Sequence, residues 1–240
     1  MDRPGLSVKL SAVHPRFESG RREELSASLL PRFIALAAEA RALSVPITID
    51  AEEQDRLDIT LDILAGALLS RELRGWDGLG IAVQAYGKRA LPVLRWLKRL
   101  AAEAGTRIPV RLVKGAYWDS EIKWAQEAGL ADYPVLTRKM HTDVSYLAAM
   151  RYIISEPDVF YAQFATHNAH TVATALVAAG NTPFEFQRLH GMGEALYAGV
   201  VGDGRMQKSC RIYAPVGGHE DLLAYLVRRL LENGANTSFV

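Results

Sequence analysis

The chain has 240 residues, of which 49% are hydrophobic and 23% charged, enough apolar material for one barrel-sized core. Its 28 basic and 27 acidic residues nearly cancel, which excludes the electrostatic footprint of a nucleic-acid binder or of a protein built for an acidic partner. The single cysteine, Cys210, excludes an intramolecular disulfide and a cysteine-rich metal centre; it reads as a small buried apolar residue in a reducing compartment.

Short apolar runs bounded by Gly, Pro or Asp alternate with longer segments of helical periodicity, the pattern of parallel βα units. In chain order, strands are predicted over Ser7 to Ala12, Pro46 to Ala51, Gly78 to Tyr86, Val110 to Lys114, Tyr161 to Thr166, Phe184 to Leu189 and Arg211 to Val216. Helices are predicted over Glu23 to Leu43, Asp55 to Arg71, Ala90 to Ala104, Ser145 to Ile154 and Thr171 to Ala179, with a last one from His219 to Glu232 capped by Gly234. About seven strands in 240 residues give an α/β fold, a (βα)8 TIM-like barrel lacking its first βα unit. The expectation is one barrel domain over 1–240, a fragment truncated at both ends. No apolar run reaches the ~18 residues that cross a bilayer and no signal peptide opens the chain, so a cytoplasmic location is expected.

Barrel chemistry sits where strands end, so polar residues there are the candidates. They are Lys9, Asp50, Gln84, Arg111, Lys114, Thr166, His167 and Tyr213. A buried charge is costly unless paired, so Lys9, Asp50 and Arg111 form either a site or an internal ion-pair network. Alternation along the strand sends Arg111 and Val113 to one face and Leu112 and Lys114 to the other. Gly115 permits close approach of a ligand to backbone, and Tyr117 and Trp118 offer aromatic surface beside it. On the last helix Tyr225, Arg228, Arg229 and Glu232 form one polar ridge, either solvated or reserved for anionic groups. The histidines of THNAH carry no metal-site spacing, so no metal is expected, and no phosphate-binding glycine loop occurs. Lys9 and Lys114 at strand ends leave a Schiff-base lyase open as an alternative.

The runs SVKLSAVHPRF, TIDAEEQDRLD, VQAYGKR, PVRLVKGAYWDSEIK, YPVLTRKMHTDVSYL, QFATHNAHT, FEFQRLHGMGE and CRIYAPVGGHEDLLAYLVRRLLENGANTSFV together resemble the flavin-dependent proline dehydrogenase family. The form they resemble is the barrel domain of the bacterial bifunctional proline utilisation A proteins, from about Gly5 to Val240. The resemblance implies non-covalent FAD, oxidation of L-proline to Δ1-pyrroline-5-carboxylate, and membrane quinone as acceptor through peripheral contact at the inner face of the membrane. A fused aldehyde dehydrogenase domain is implied in the full-length protein. It further implies Arg111 beside flavin N5, Gln84 on the flavin ring, and Val113, Lys114 and Gly115 continuing the cradle. Trp118 and Phe239 would flank adenine, and Thr137, Arg138, Lys139, Thr166, His167, Arg229 and Glu232 would surround the ribityl, pyrophosphate or adenosine portions. On the substrate side it implies Lys9, Arg228 and Arg229 for the carboxylate and Asp50, Tyr117, Leu189, Tyr213 and Tyr225 along the pocket. An incomplete, inactive barrel is the alternative to an active enzyme.

Overall fold

In the computed structural model, which describes residues 3–201 and 208–218 together with Glu220, Leu222, Leu223, Tyr225 and Val227, the apolar runs form seven parallel strands. These are β1 (Leu6–Val8), β2 (Ile47–Ile49), β3 (Leu79–Gln84), β4 (Ile108–Val113), β5 (Phe160–Ala165), β6 (Phe184–Leu189) and β7 (Cys210–Tyr213). They lie side by side in chain order in one sheet that curls into a half-barrel. The connecting helices are α1 (Leu10–Val13), α2 (Arg22–Ala42), α3 (Leu57–Leu69), α4 (Ala90–Ala104), α5 (Trp118–Glu127), α6 (Lys139–Ile154), α7 (Ala169–Ala179) and α8 (Glu194–Val201).

The period of two along each strand separates the chemistry of the two faces. Ile47, Ile49, Leu79, Ile108, Val110, Leu112, Phe164 and Phe186 are buried among the apolar residues of the core cluster, which also includes Leu25, Phe33, Ile63, Leu94 and Met150 from the helices. The alternate positions, Ser7, Asp50, Gln84, Arg111, Gln163, Glu185, Gln187, Arg211 and Tyr213, are linked by hydrogen bonds to one another or to nearby backbone. A polar inner face on an apolar shell is what makes a site possible here.

Several elements differ from expectation. The first strand stops at Val8 rather than Ala12, because the Glu52 carboxylate takes the Ser11 amide at 3.0 Å and the chain turns into α1. The helix expected from Asp55 starts as a 3-10 turn at Gln54–Arg56 and continues as α3 only to Leu69. The final strand ends at Tyr213, two residues before Pro215, which has no amide to give a ladder. Helix α6 begins at Lys139, and α5 and α8 were not expected. Of the last predicted helix, Glu220, Leu222, Leu223, Tyr225 and Val227 are helical, whereas Arg228, Arg229, Glu232, Gly234 and Phe239 lie outside the described residues. No helix among the described residues is long and apolar enough to cross a membrane.

Candidate active site

A cavity of about 340 Å³ opens at the carboxyl ends of the strands. Arg111, 8% exposed, is part of its wall. Nη1 donates to Asp50 Oδ1 at 2.5 Å, Nη2 to Ser7 Oγ at 2.8 Å and Nε to Gln187 Oε1 at 2.6 Å. The second Asp50 oxygen accepts from the Tyr213 hydroxyl at 2.9 Å, and the Arg111 guanidinium lies 5.3 Å from the Tyr213 ring centroid. Burial first, then the neighbouring Asp50 carboxylate, push the Tyr213 hydroxyl well above the usual phenol range, so it stays a donor. Tyr225 stacks on Tyr213 with ring centroids 6.3 Å apart.

Of the two alternatives for Lys9, Asp50 and Arg111, a site or an internal ion-pair network, the ion pairing joins only two of them. Asp50 and Arg111 pair, whereas Lys9 Nζ donates to the Tyr117 hydroxyl at 2.5 Å. The expectation that Arg111 and Lys114 point to opposite faces is corrected. Strand β4 ends at Val113, so alternation no longer governs Lys114, and both cations line the cavity. Lys114 pairs with Asp143 of α6 at 2.5 Å, a carboxylate 3.6 Å from Lys139. Both lysines of the lyase alternative are thus engaged.

Gly115 adopts φ +143, and an added Cβ would meet the Tyr86 ring at 2.5 Å. The glycine therefore serves close backbone packing on Tyr86, which lets the chain turn from β4 into α5 and carry Tyr117 over the cavity. Gln84 is fixed from both ends, donating to Glu52 O at 2.8 Å and accepting from the Ala116 amide at 3.4 Å. Thr166 accepts from the Asn168 amide at 3.1 Å, and His167 Nε2 accepts from the Leu189 amide at 3.1 Å.

Lys9, Asp50, Gln84, Arg111, Val113, Lys114, Gly115, Tyr117, Lys139, Thr166, His167, Leu189, Tyr213 and Tyr225 all line the cavity. Trp118, Thr137 and Arg138 do not; Trp118 donates to Leu136 O at 2.9 Å, which ties the start of α5 to the loop carrying Thr137 and Arg138. Missed by the sequence reading were Gln187 and Arg188 in the wall, and Ser7 and Asp143 as partners of its two central cations. Polar residues at 185 and 187 within FEFQRL, alternating with phenylalanines, carried that signal. Among the described residues no group of three His, Cys, Asp or Glu side chains converges as a metal site.

A parallel α/β half-barrel with its cations and aromatics gathered at the carboxyl strand ends is the build of a barrel enzyme, and a proline dehydrogenase family model matches residues 1–240. The chain belongs to the proline dehydrogenase family. It is 55% identical over 244 residues to the bifunctional protein PutA of Klebsiella aerogenes, covering 99% of this chain and 19% of that protein. It is 54% identical over 244 residues to bifunctional PutA of Escherichia coli strain K12, covering 99% of this chain and 18% of that protein. A solved structure of proline utilization A with proline bound in remote sites superposes with a TM-score of 0.95 at 55% identity, covering 99% of this chain and 24% of that one. The chain spans about a fifth of the length of these curated relatives.

Proposed function

We propose that this chain is the flavin-dependent part of an enzyme that oxidises L-proline to Δ1-pyrroline-5-carboxylate. The observation that carries this reading is the excess of positive charge at the cavity: among the described residues its wall carries Lys9, Arg111, Lys114, Lys139 and Arg188 with one acid, Asp50, and Asp143 beside it pairs with Lys114 and Lys139. Such a wall suits ligands bearing anionic groups, both the pyrophosphate of FAD and the carboxylate of an amino acid. The donor set fits FAD without a glycine-rich phosphate loop. Gln84, Arg111, Val113, Lys114, Gly115, Lys139, Thr166 and His167 would hold it, with Arg229, Glu232, Trp118, Thr137, Arg138 and Phe239 as further contacts by family likeness. When bound, FAD would supply the acceptor for the hydride leaving proline, with membrane quinone as the proposed final electron acceptor.

On the substrate side, Lys9 is placed for the proline carboxylate, together with Arg228 and Arg229 by family likeness. Leu189, Tyr213, Tyr225 and Tyr117 offer apolar and aromatic surface to the ring. Fixing the carboxylate and covering the ring orient the reacting carbon and exclude water. Asp50 accepts from Arg111 and from the Tyr213 hydroxyl and lies within the same wall. In the whole protein we place this domain in the cytoplasm, in peripheral contact with the membrane that carries the quinone and fused to an aldehyde dehydrogenase domain.

One observation favours a second reading of the isolated chain. Among the described residues β1 and β7 are each paired on one side only, and such edges invite pairing with another segment. On that reading 1–240 is a barrel fragment that needs a further strand for activity. Visible absorbance after incubation with FAD and removal of free flavin decides between them: an active domain retains colour, and a fragment that needs completion gains it only within the full-length protein.

A further inference from the structure

Barrel interiors are ordinarily filled by layers of branched apolar side chains. Below the cavity this half-barrel instead carries Tyr161, Gln163, Glu185 and Arg211, with Gln187 joining them to the cavity wall. Glu185 is 1% exposed and Gln187 3%. The Glu185 carboxylate accepts from Arg211 Nε at 2.9 Å and Nη2 at 3.1 Å, Gln187 Nε2 at 2.7 Å, Gln163 Nε2 at 3.1 Å and the Tyr161 hydroxyl at 3.3 Å. A buried ion pair of this kind is weak evidence for stability, because desolvation opposes the Coulombic gain. Its clear consequence is directional.

The Gln187 amide lies between Glu185 and Arg111. Its Nε2 meets the carboxylate, so its Oε1 must face the Arg111 Nε, 2.6 Å away. The reversed amide would set carbonyl against carboxylate and N–H against N–H. Arg111 therefore has a defined acceptor at each of its three nitrogens, on Asp50, Ser7 and Gln187. Arg211 anchors the far end, its Nη1 also donating to Arg3 O at 2.6 Å.

We propose that Glu185 and Gln187 are positioning residues for Arg111: Glu185 sets the polarity of the Gln187 amide, and Gln187 fixes the guanidinium plane in the cavity wall. The effect on the guanidinium follows from the geometry, and the effect on turnover rests on the reading of Arg111 as a flavin contact.

The test follows the Arg111 Nε–H resonance in the nitrogen-15 spectrum of the protein without added flavin, assigned by its loss in Arg111→Lys. In the unsubstituted protein this proton, held by Gln187 Oε1 at 2.6 Å, is expected to exchange slowly with water. Gln187→Leu and Glu185→Gln are expected to shift the resonance and accelerate exchange at least tenfold. Tyr161→Phe removes a bond to Glu185 away from Gln187 and leaves exchange within about twofold. Glu185→Gln also strips Arg211 of its carboxylate, so the double exchange Glu185→Gln with Gln187→Glu guards against misfolding. It keeps one carboxylate and one amide, restores an acceptor for each arginine, and is expected to return the Arg111 signal to within about twofold. With FAD and L-proline, Gln187→Leu is expected to lower kcat about tenfold while KM changes less than threefold. An unchanged Arg111 resonance in folded Gln187→Leu and Glu185→Gln overturns the proposal. Unchanged kcat beside a shifted resonance overturns its link to turnover. If the unsubstituted protein binds no flavin either alone or within its full-length form, the reading of the cavity fails, and the resonance still decides the positioning role.

Discussion

Arg111 on β4 and Asp50 at the end of β2 form a buried ion pair, Nη1 to Oδ1 at 2.5 Å, with side-chain exposures of 9% and 14%. Removing one partner of such a pair leaves the other charge uncompensated, at a cost of about 3–5 kcal/mol. Asp50→Ala should fall at the lower end of that range, because Ser7 and Gln187 still accept from Arg111. Asp50→Asn, which keeps an acceptor, should lose less. Urea denaturation of the two variants checks both the size and the order, and equal losses would show that the charge, rather than the hydrogen bond, matters.

Gly115→Ala combines a backbone conformation that side chains rarely adopt with a Cβ 2.5 Å from the Tyr86 ring. A destabilisation of about 2 kcal/mol or more is expected. For a domain of this size that corresponds to a fall in Tm of roughly 4–8 °C, measurable by calorimetry.

Glu121 of α5 is buried, and its Oε1 accepts from the Gln54 amide at 2.6 Å. Burial raises its carboxyl above the ordinary value, with Asp55 and Glu53 adding repulsion. A raised folded pKa means that the fold favours the protonated acid, so this contribution is present at low pH and is lost as pH rises through the folded value. Glu121→Gln preserves an acceptor for Gln54 and removes the charge. It should raise Tm at pH 7, with the gain shrinking as pH falls through the raised folded value and gone below the ordinary glutamate range. A lower Tm at pH 7 would contradict this sign.

Burial pushes the Cys210 thiol up to about 11, against a smaller opposing effect of Arg188. The fold thus favours the neutral thiol, and the stability gained below the ordinary thiol value is lost as pH climbs towards 11. Alkylation by iodoacetamide at pH 8 should be slower than that of free cysteine by on the order of 100-fold, since only the thiolate reacts. Urea should abolish the difference, and rapid alkylation of the folded protein at pH 8 would rule out the shielding of the Cys210 thiol.

The sheet was legible in the sequence because its apolar runs have sharp ends. The bounds of β6 and α4 agree with their predicted spans, Phe184 to Leu189 and Ala90 to Ala104. Strand β1 was drawn too long because KLSAV reads as apolar alternation, whereas a side chain 41 residues away, Glu52, captures the Ser11 amide. Helix α5 was missed because WDSEIKWAQE mixes aromatic and charged residues, and α8 because a glycine interrupts it. The cavity's cations were visible as charges at strand ends, but their partners were not. Ser7, Asp143 and Gln187 are ordinary polar residues in sequence, and only the register of β1, β4 and β6 with the start of α6 brings them to Arg111 and Lys114. Family likeness supplied the roles of Arg228, Arg229, Glu232 and Phe239, which lie outside the described residues.

The most direct measurement is an anaerobic titration of the FAD-incubated protein, freed of unbound flavin, with L-proline while the visible flavin band is followed. Retained colour that bleaches on adding L-proline, and loses that response when Arg111 is replaced by Met, is the expected result. A protein that stays colourless both alone and within its full-length form, or a coloured one whose band ignores L-proline, would contradict the assignment of this cavity to flavin-dependent proline oxidation.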